Sequence, residues 1–365
     1  MAAGLRDGGF AGDITLIGSE PVAPYERPHL SKEFVLGQIA RDRIALRPHT
    51  QYRQLGVDLE LGRFVSELGV REHRVLLDDG KTIGWDLLCV ATGSEARRLP
   101  GFAQALYLRE LPQAEVLRSW IESGKAIEIL GAGFIGCEVA AAARQKGCAV
   151  TLHEALAQPL LRVLGDELGA YVAQVHREHG VDLRLSAAPP PRADLVAVGS
   201  APRVELAGKA GLRLEGGIST DEFGRTSAPG VFAAGDVTRF FHPLFETRIR
   251  VEHFQTSRRQ GFAVGRSISG QPTAYTEVPW FWSDQYDLNL QYAGAGLPWD
   301  DTLVRGKMGR PPFTVFYLGG GRLLAAAGIN DHHTVARARR VMETRASVTK
   351  AQLEDPNFDL RRALL

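Results

Sequence analysis

Apolar and polar positions along the chain repeat one α/β pattern twice. In the second copy AIEIL (residues 126–130) is a short apolar run suited to a buried parallel strand, and GAGFIGCEVAAAARQKG (131–147) follows it as the opening of a helix. The next β-branched run, VTLHE (150–154), ends on a carboxylate. The first copy carries the same order in AAGLRDGGFAGDITLIGSE (2–20), where residues 1–12 read as the tail of a helix and ITLIG (14–18) as the following strand. Two further matches extend the repeat: GVDLELG (56–62) with GVDLRLS (180–186), and WDLLCVATGS (85–94) with ADLVAVGSA (193–201). A duplicated unit fixes architecture before any single motif does, so the fold class predicted is α/β with two Rossmann-like nucleotide-binding units.

The copies differ in two places. No strand and no glycine loop precede the helix tail of the first copy, so either the written start lies inside a longer reading frame or one dinucleotide phosphate site has been lost. Between the matched segments the first copy has residues 63–84, including HRVLLDDGKTIGW with an Asp-Gly hairpin turn. The second has only residues 187–192, three of them prolines, which cannot donate to a ladder; a loop is expected there in place of a hairpin.

Gly131, Gly133 and Gly136 form GxGxxG between strand and helix. The first glycine allows the tight turn, the second lets backbone approach a pyrophosphate, and the third packs helix on strand. Phe134 and Ile135 then carry the first amides of the helix, whose N-terminus faces the phosphates. Glu154 closes the next strand, placed to accept from a ribose 2′-OH and to repel a 2′-phosphate, so NAD(H) is favoured over NADP(H). Gly199, after the last strand of the same unit, completes the candidate NAD set.

Composition narrows the class. Lys+Arg 43 against Asp+Glu 42 leaves a net charge of +1, which argues against a nucleic-acid partner. Three cysteines, Cys89, Cys137 and Cys148, provide neither a disulfide framework nor a close pair for a dithiol centre or a metal site, and the expected setting is the reducing cytoplasm. The N-terminus lacks a signal-peptide pattern, and the longest apolar stretch is broken by Glu128 and Glu138, so no membrane span is expected. Gly at 40 of 365 residues, about 11% against a usual 7% or so, anticipates tight turns and close backbone approaches.

PYERPHLSK (24–32), ATGS (91–94), GVFAAGDV (230–237) and VPWFWSDQYDLNLQYAG (278–294) together resemble the FAD-dependent NADH:ferredoxin reductases of the putidaredoxin-reductase type, which serve Rieske-type aromatic-ring dioxygenases and bacterial haem monooxygenases. The resemblance runs over nearly the whole chain. It implies an FAD domain (1–108 and 215–272), an NAD domain inserted in it (109–214) and a C-terminal α+β domain (273–365). By the same resemblance Lys32 lies near the flavin ring, where a cation favours the anionic reduced isoalloxazine, and Glu138 is its partner beside the nicotinamide. Asp236 bonds the ribityl chain; Arg27, Arg109 and the ATG turn (Ala91, Thr92, Gly93) contact FAD; Val65, Phe254 and Trp282 line it. Ser19 stands where the family often has the acid that binds the adenosine ribose, with Glu20 next to it as a substitute.

The family's reaction passes hydride from NADH to flavin and then single electrons to the iron–sulfur cluster of a ferredoxin. Arg337, Arg339, Arg340 and Arg345 on a C-terminal helix, with Trp280 and Trp282, are candidates for meeting that acidic partner, although a charge run also suits a plain solvated helix face. Alternatives that the sequence leaves open are an FAD-deficient remnant acting as an NADH-binding interaction protein, and an NADH oxidase or diaphorase.

Overall fold

The computed structural model describes residues 1–364. The chain packs as two compact units, one of Met1–Glu26, Ile44–Glu95 and Ala201–Glu277, the other of Arg27–Arg43, Ala96–Ser200 and Val278–Leu365.

In the first unit Ile14–Gly18 pairs in parallel with Val57–Leu61, and Leu88–Val90 pairs in parallel with Val231–Ala233. These are two separate two-stranded pieces; among the described residues this unit has no strand that joins them. The Asp-Gly segment folds as anticipated into an antiparallel sheet of Val65–Gly69, Arg74–Leu77 and Thr82–Gly84. Its inward residues Leu68, Val75 and Leu77 meet Val90, Ile218, Val231 and Val237 in one apolar cluster. Helix Phe254–Ile268 carries Ala263 and Val264 inward, and Val264 packs with Phe232 and Ala234 of the strand end.

In the second unit the parallel sheet is continuous, in the order Asp182–Arg184, Val150–His153, Ile127–Leu130 and Leu195–Val196. No strand lies between 184 and 195, where the prolines are. Helix Phe134–Gln145 follows Ile127–Leu130 and buries Val139 and the alanines at 140–143; small, strong helix formers let it sit close to the sheet. Helix Leu161–Glu178 presents Leu164, Leu168, Val172 and His176 inward. Residues 278–364 add an antiparallel sheet in the order Trp280–Gln285, Leu288–Gly294, Arg322–Ile329, Arg310–Gly319 and Asp301–Lys307. Helix His332–Thr344 packs beside it through Ala338 and Val341 on Phe316, Leu318 and Ala326, and its N-terminus is capped by the Asp331 side chain, which accepts from Thr334 N–H. Arg305 ties the last segment down by donating to the carbonyls of Gln352, Leu353 and Phe358. No described helix is long and apolar enough to cross a membrane.

Candidate functional site

The glycine loop adopts the geometry its spacing requires. Gly131 has φ +104°, and a Cβ there would lie 2.4 Å from the Ala197 carbonyl oxygen; at Gly136 a Cβ would lie 1.9 Å from the Gly131 carbonyl oxygen. At Gly133 the nearest atom would be 3.8 Å away. Two glycines therefore close the loop on itself and the third leaves its surface open. Gly133 is also the N-cap of helix Phe134–Gln145 and offers no side-chain cap, so the first amides of a three-turn helix carry no capping side chain. An open glycine surface beside such a helix end fits the pyrophosphate of a dinucleotide.

Glu154 stands just past the end of Val150–His153, where its place in the pattern predicts it. Its Oε2 accepts from Ala132 N–H in the glycine loop at 2.8 Å and its Oε1 from Leu156 N–H at 2.9 Å. The carboxylate thus also pins the loop. Gly199 follows Leu195–Val196 at φ +99° with open space where a side chain would be, and its carbonyl accepts from Arg97 N–H. Phe134 meets Phe281 edge to face at 4.7 Å, and Ile135 is exposed.

Lys32 and Glu138, far apart in sequence, meet inside the second unit. Lys32 Nζ lies 2.9 Å from Glu138 Oε2, with side-chain exposures of 8% and 5%. Neither is the solvated surface charge that its residue type alone would suggest. The same Oε2 accepts from the Ser31 hydroxyl, and Oε1 accepts from the Ser283 hydroxyl at 2.7 Å. Three donors on one buried carboxylate give the ion pair the additional hydrogen bonds that burial demands. Ser31 and Ser283 escaped sequence reasoning although both lie in segments, PYERPHLSK and WFWSDQ, that drew attention; nothing in a serine's type marks it as a partner until the fold supplies the carboxylate. Trp282 neighbours Ser283 on the strand Trp280–Gln285 and therefore points to the opposite face. Arg27 Nη1 donates to the Arg109 carbonyl at 2.6 Å, so these two candidates also come together.

In the first unit, parallel pairing of Leu88–Val90 with Val231–Ala233, Val90 opposite Ala233, brings the ATG turn (Ala91, Thr92, Gly93) and the AAGD turn to the same carboxyl end of two strands. That is where open α/β sheets hold ligands. Gly235 N–H donates to Gln260 Oε1 at 2.7 Å, and Asp236 Oδ1 accepts from the Ser257 hydroxyl at 2.7 Å, so helix Phe254–Ile268 holds the turn through its first two turns. A carboxylate at this strand end suits the hydroxyl-rich chain of a flavin nucleotide. Thr92 spends its own hydroxyl on the Arg203 carbonyl at 2.7 Å. Ser19 is exposed just past Ile14–Gly18, and Glu20 Oε2 accepts from the Tyr25 hydroxyl at 2.5 Å. Val65 packs at the edge of the unit's core, and Phe254 opens its helix.

The thiols are not arranged for redox chemistry. Cys89, Cys137 and Cys148 are all free, and burial pushes the Cys89 thiol up to about 11 and raises that of Cys137 as well. On the C-terminal helix Arg339 and Arg340 both lie 3.5 Å from Glu343, Arg337 lies 3.8 Å from Asp359, and the Arg339 guanidinium sits over the Trp280 ring at 5.7 Å. Arg345 is the C-cap, in left-handed conformation.

Comparison with known proteins matches the same regions. Residues 1–190 and 192–261 match the pyridine nucleotide-disulphide oxidoreductase family, the break falling at a proline of the short bridge, and residues 280–364 match the reductase C-terminal family. The chain is 38% identical over 388 aligned positions to the ferredoxin–NAD(+) reductase component of an anthranilate 1,2-dioxygenase system from Burkholderia cepacia, covering 100% of this chain and 96% of that protein. It is 36% identical to rhodocoxin reductase from Rhodococcus erythropolis, covering 100% and 91%. The crystal structure of a covalent putidaredoxin reductase–putidaredoxin complex superposes with a TM-score of 0.93 at 31% identity, covering 100% of this chain and 94% of that one. With a nucleotide loop, a buried Lys–Glu pair and matches of this extent, the chain belongs to the pyridine nucleotide-disulphide oxidoreductase family, in its putidaredoxin-reductase type.

Proposed function

We propose that this protein is an FAD-dependent ferredoxin–NAD(+) reductase that carries electrons from NADH to an iron–sulfur ferredoxin serving a Rieske-type aromatic-ring dioxygenase in the cytoplasm. The observation that carries this reading is the buried Lys32–Glu138 pair, built in the same unit as the dinucleotide loop, in a chain whose thiols form no pair. Bound FAD supplies the exchange between two-electron and one-electron chemistry. The residues supply binding, placement and charge. In the second unit Gly131, Gly133, Phe134, Ile135 and Gly136 take the NAD pyrophosphate, Glu154 its ribose, and Gly199 leaves room beside it. Lys32, oriented by Glu138, places a positive charge beside the flavin ring, where it favours added negative charge; Trp282, Arg27 and Arg109 are further FAD contacts. In the first unit Asp236 accepts from the ribityl hydroxyls, the turn of Ala91, Thr92 and Gly93 approaches FAD, Ser19 or Glu20 meets the adenosine ribose, and Val65 and Phe254 line the flavin. The division into FAD (1–108, 215–272), NAD (109–214) and C-terminal (273–365) domains belongs to the same proposal. The ferredoxin-reducing relatives and the superposed complex support ferredoxin as the acceptor, and Arg337, Arg339, Arg340 and Arg345 with Trp280 are the surface proposed to meet it.

The test is anaerobic. Purified protein with FAD should bleach on NADH addition and then reduce a dioxygenase-system ferredoxin; flavin that bleaches while the ferredoxin stays oxidised would restrict the protein to diaphorase activity. Glu154→Gln checks the nucleotide assignment. The new amide loses charge and presents a donor where the two backbone N–H groups of Ala132 and Leu156 need acceptors. We expect the KM for NADH to rise about tenfold, the worth of one charge-assisted hydrogen bond, and the preference over NADPH to narrow. An unchanged NADH-to-NADPH ratio of kcat/KM would remove Glu154 from the site.

A further inference from the structure

Several buried polar side chains of the second unit have no part in the function just proposed, and they form a line. Ser283 and Gln285 alternate onto one face of the strand Trp280–Gln285, both buried, and Gln285 Nε2 lies 3.1 Å from Ser283 Oγ. His176, fully buried on helix Leu161–Glu178, lies between them and the hairpin turn: its Nε2 is 3.0 Å from Gln285 Oε1 and its Nδ1 is 3.1 Å from the Tyr286 hydroxyl. Tyr286 reaches it from a left-handed backbone, φ +58°, which is costly for a bulky residue, and its ring is stacked on His179 at 3.6 Å.

Counting protons gives the line a direction. The Glu138 carboxylate only accepts, so the single proton of Ser283 goes to Oε1. The Ser283 oxygen must then accept, which turns the Gln285 amide NH2 toward it and the Gln285 carbonyl toward His176. His176 therefore carries its proton on Nε2, and its bare Nδ1 accepts from the Tyr286 hydroxyl. Burial lowers the His176 pKa to about 4, in keeping with a neutral ring. Tyr286, His176, Gln285 and Ser283 all donate the same way, and a chain of hydrogen bonds so aligned strengthens its last member. That member holds Glu138, the anchor of Lys32.

We propose that Ser283, Gln285 and His176 are positioning residues that fix the Glu138 carboxylate, and through it the Lys32 ammonium, from the hairpin turn at Tyr286. The proposal rests on the reading of Lys32 as the cation beside the flavin. A buried polar chain with a purely structural task has no need to end on the ion pair of the site.

The experiment uses the full chain loaded with FAD, as wild type, Ser283→Ala and Gln285→Met, the last keeping length while removing both polar atoms. Nitrogen-15 NMR of histidine-labelled protein should show His176 as the neutral Nε2–H tautomer, assigned by its loss in His176→Gln. Carbon-13 NMR of labelled glutamate should show the Glu138 carboxyl signal displaced in both variants, although Gln285 does not touch Glu138. Anaerobic stopped flow should show flavin reduction by NADH slowed about tenfold in Ser283→Ala, the scale of one hydrogen bond to a charged group, and about twofold in Gln285→Met, where only the support of that bond is lost. An Nδ1–H tautomer in the wild type, or a Glu138 signal and reduction rate unchanged in Gln285→Met while its thermal stability falls, would overturn the proposal. If Ser283→Ala does not fold, Gln285→Met and the wild-type tautomer still decide. Wild-type protein that binds FAD and is not reduced by NADH would instead overturn the proposed function, and the two NMR signals would decide the positioning chain on their own.

Discussion

Gly136→Ala is expected to lower both the stability of the protein and its affinity for NADH, the latter by about ten- to a hundredfold, whereas Gly133→Ala should weaken NADH binding alone. The difference follows from what each added methyl meets. At position 136 it would lie 1.9 Å from the Gly131 carbonyl oxygen, a backbone atom and not the end of a flexible side chain. The helix start must therefore lift from the loop, and forced backbone shifts of that kind cost about 1–3 kcal/mol or more. The loop amides move with it, and each 1.4 kcal/mol lost is tenfold in affinity. At position 133 the nearest protein atom would be 3.8 Å away, an ordinary contact, so the methyl intrudes only on the surface left for the pyrophosphate. Urea unfolding and equilibrium dialysis with NADH separate the two effects. Equal stability of Gly136→Ala and wild type would mean that the close approach is not structural, and wild-type NADH affinity in Gly133→Ala would mean that the open surface faces something other than a dinucleotide.

Much of this site was legible because its information is local. The GxGxxG spacing, the strand before it and the carboxylate at the end of the next strand all concern neighbours in the chain, and Gly131, Gly136 and Glu154 stand where the pattern places them. The duplication was equally legible: WDLLCVATGS and ADLVAVGSA both become parallel strands, Leu88–Val90 and Leu195–Val196. What the local pattern by itself could not supply was partnership between distant residues. Lys32 as a bare residue reads as a surface cation; the family resemblance names Glu138 as its partner, and the fold that brings residues 27–43 against helix Phe134–Gln145 adds that the pair is buried. His176 carries no sequence signal at all, and its partner Gln285 comes to it only through the packing of helix Leu161–Glu178 on the strand Trp280–Gln285. Glu154 shows the intermediate case: its position was readable, but its hold on the Ala132 amide was not, because the glycine loop's path depends on the close contacts that its glycines permit.

The largest loss of stability is expected from Glu138→Leu, and the most informative comparison is with the double variant Lys32→Met/Glu138→Leu. The single substitution leaves the Lys32 ammonium, 8% exposed, without its counter-charge, and takes the acceptor away from the Ser31 and Ser283 hydroxyls. Breaking one side of a buried ion pair costs about 3–5 kcal/mol, because the remaining charge keeps its desolvation penalty and loses its compensation. Removing both charges removes that penalty too, and apolar replacements of similar size are often neutral or stabilising. The double variant should therefore recover, in urea unfolding, the part of the loss that comes from the unpaired ammonium, while the Ser31 and Ser283 hydroxyls still lack their acceptor at a cost of about 1–3 kcal/mol each. It should not recover the reaction: with no cation beside the flavin and no carboxylate to place it, reduction by NADH should stay at least about tenfold slower than wild type, since an electrostatic contribution of a few kcal/mol to a charge-developing step is lost in full. Wild-type reduction rates in the double variant would show that the pair serves the fold alone. Partly restored stability with slow reduction would show the reverse, that the two charges are kept buried because the chemistry requires them there.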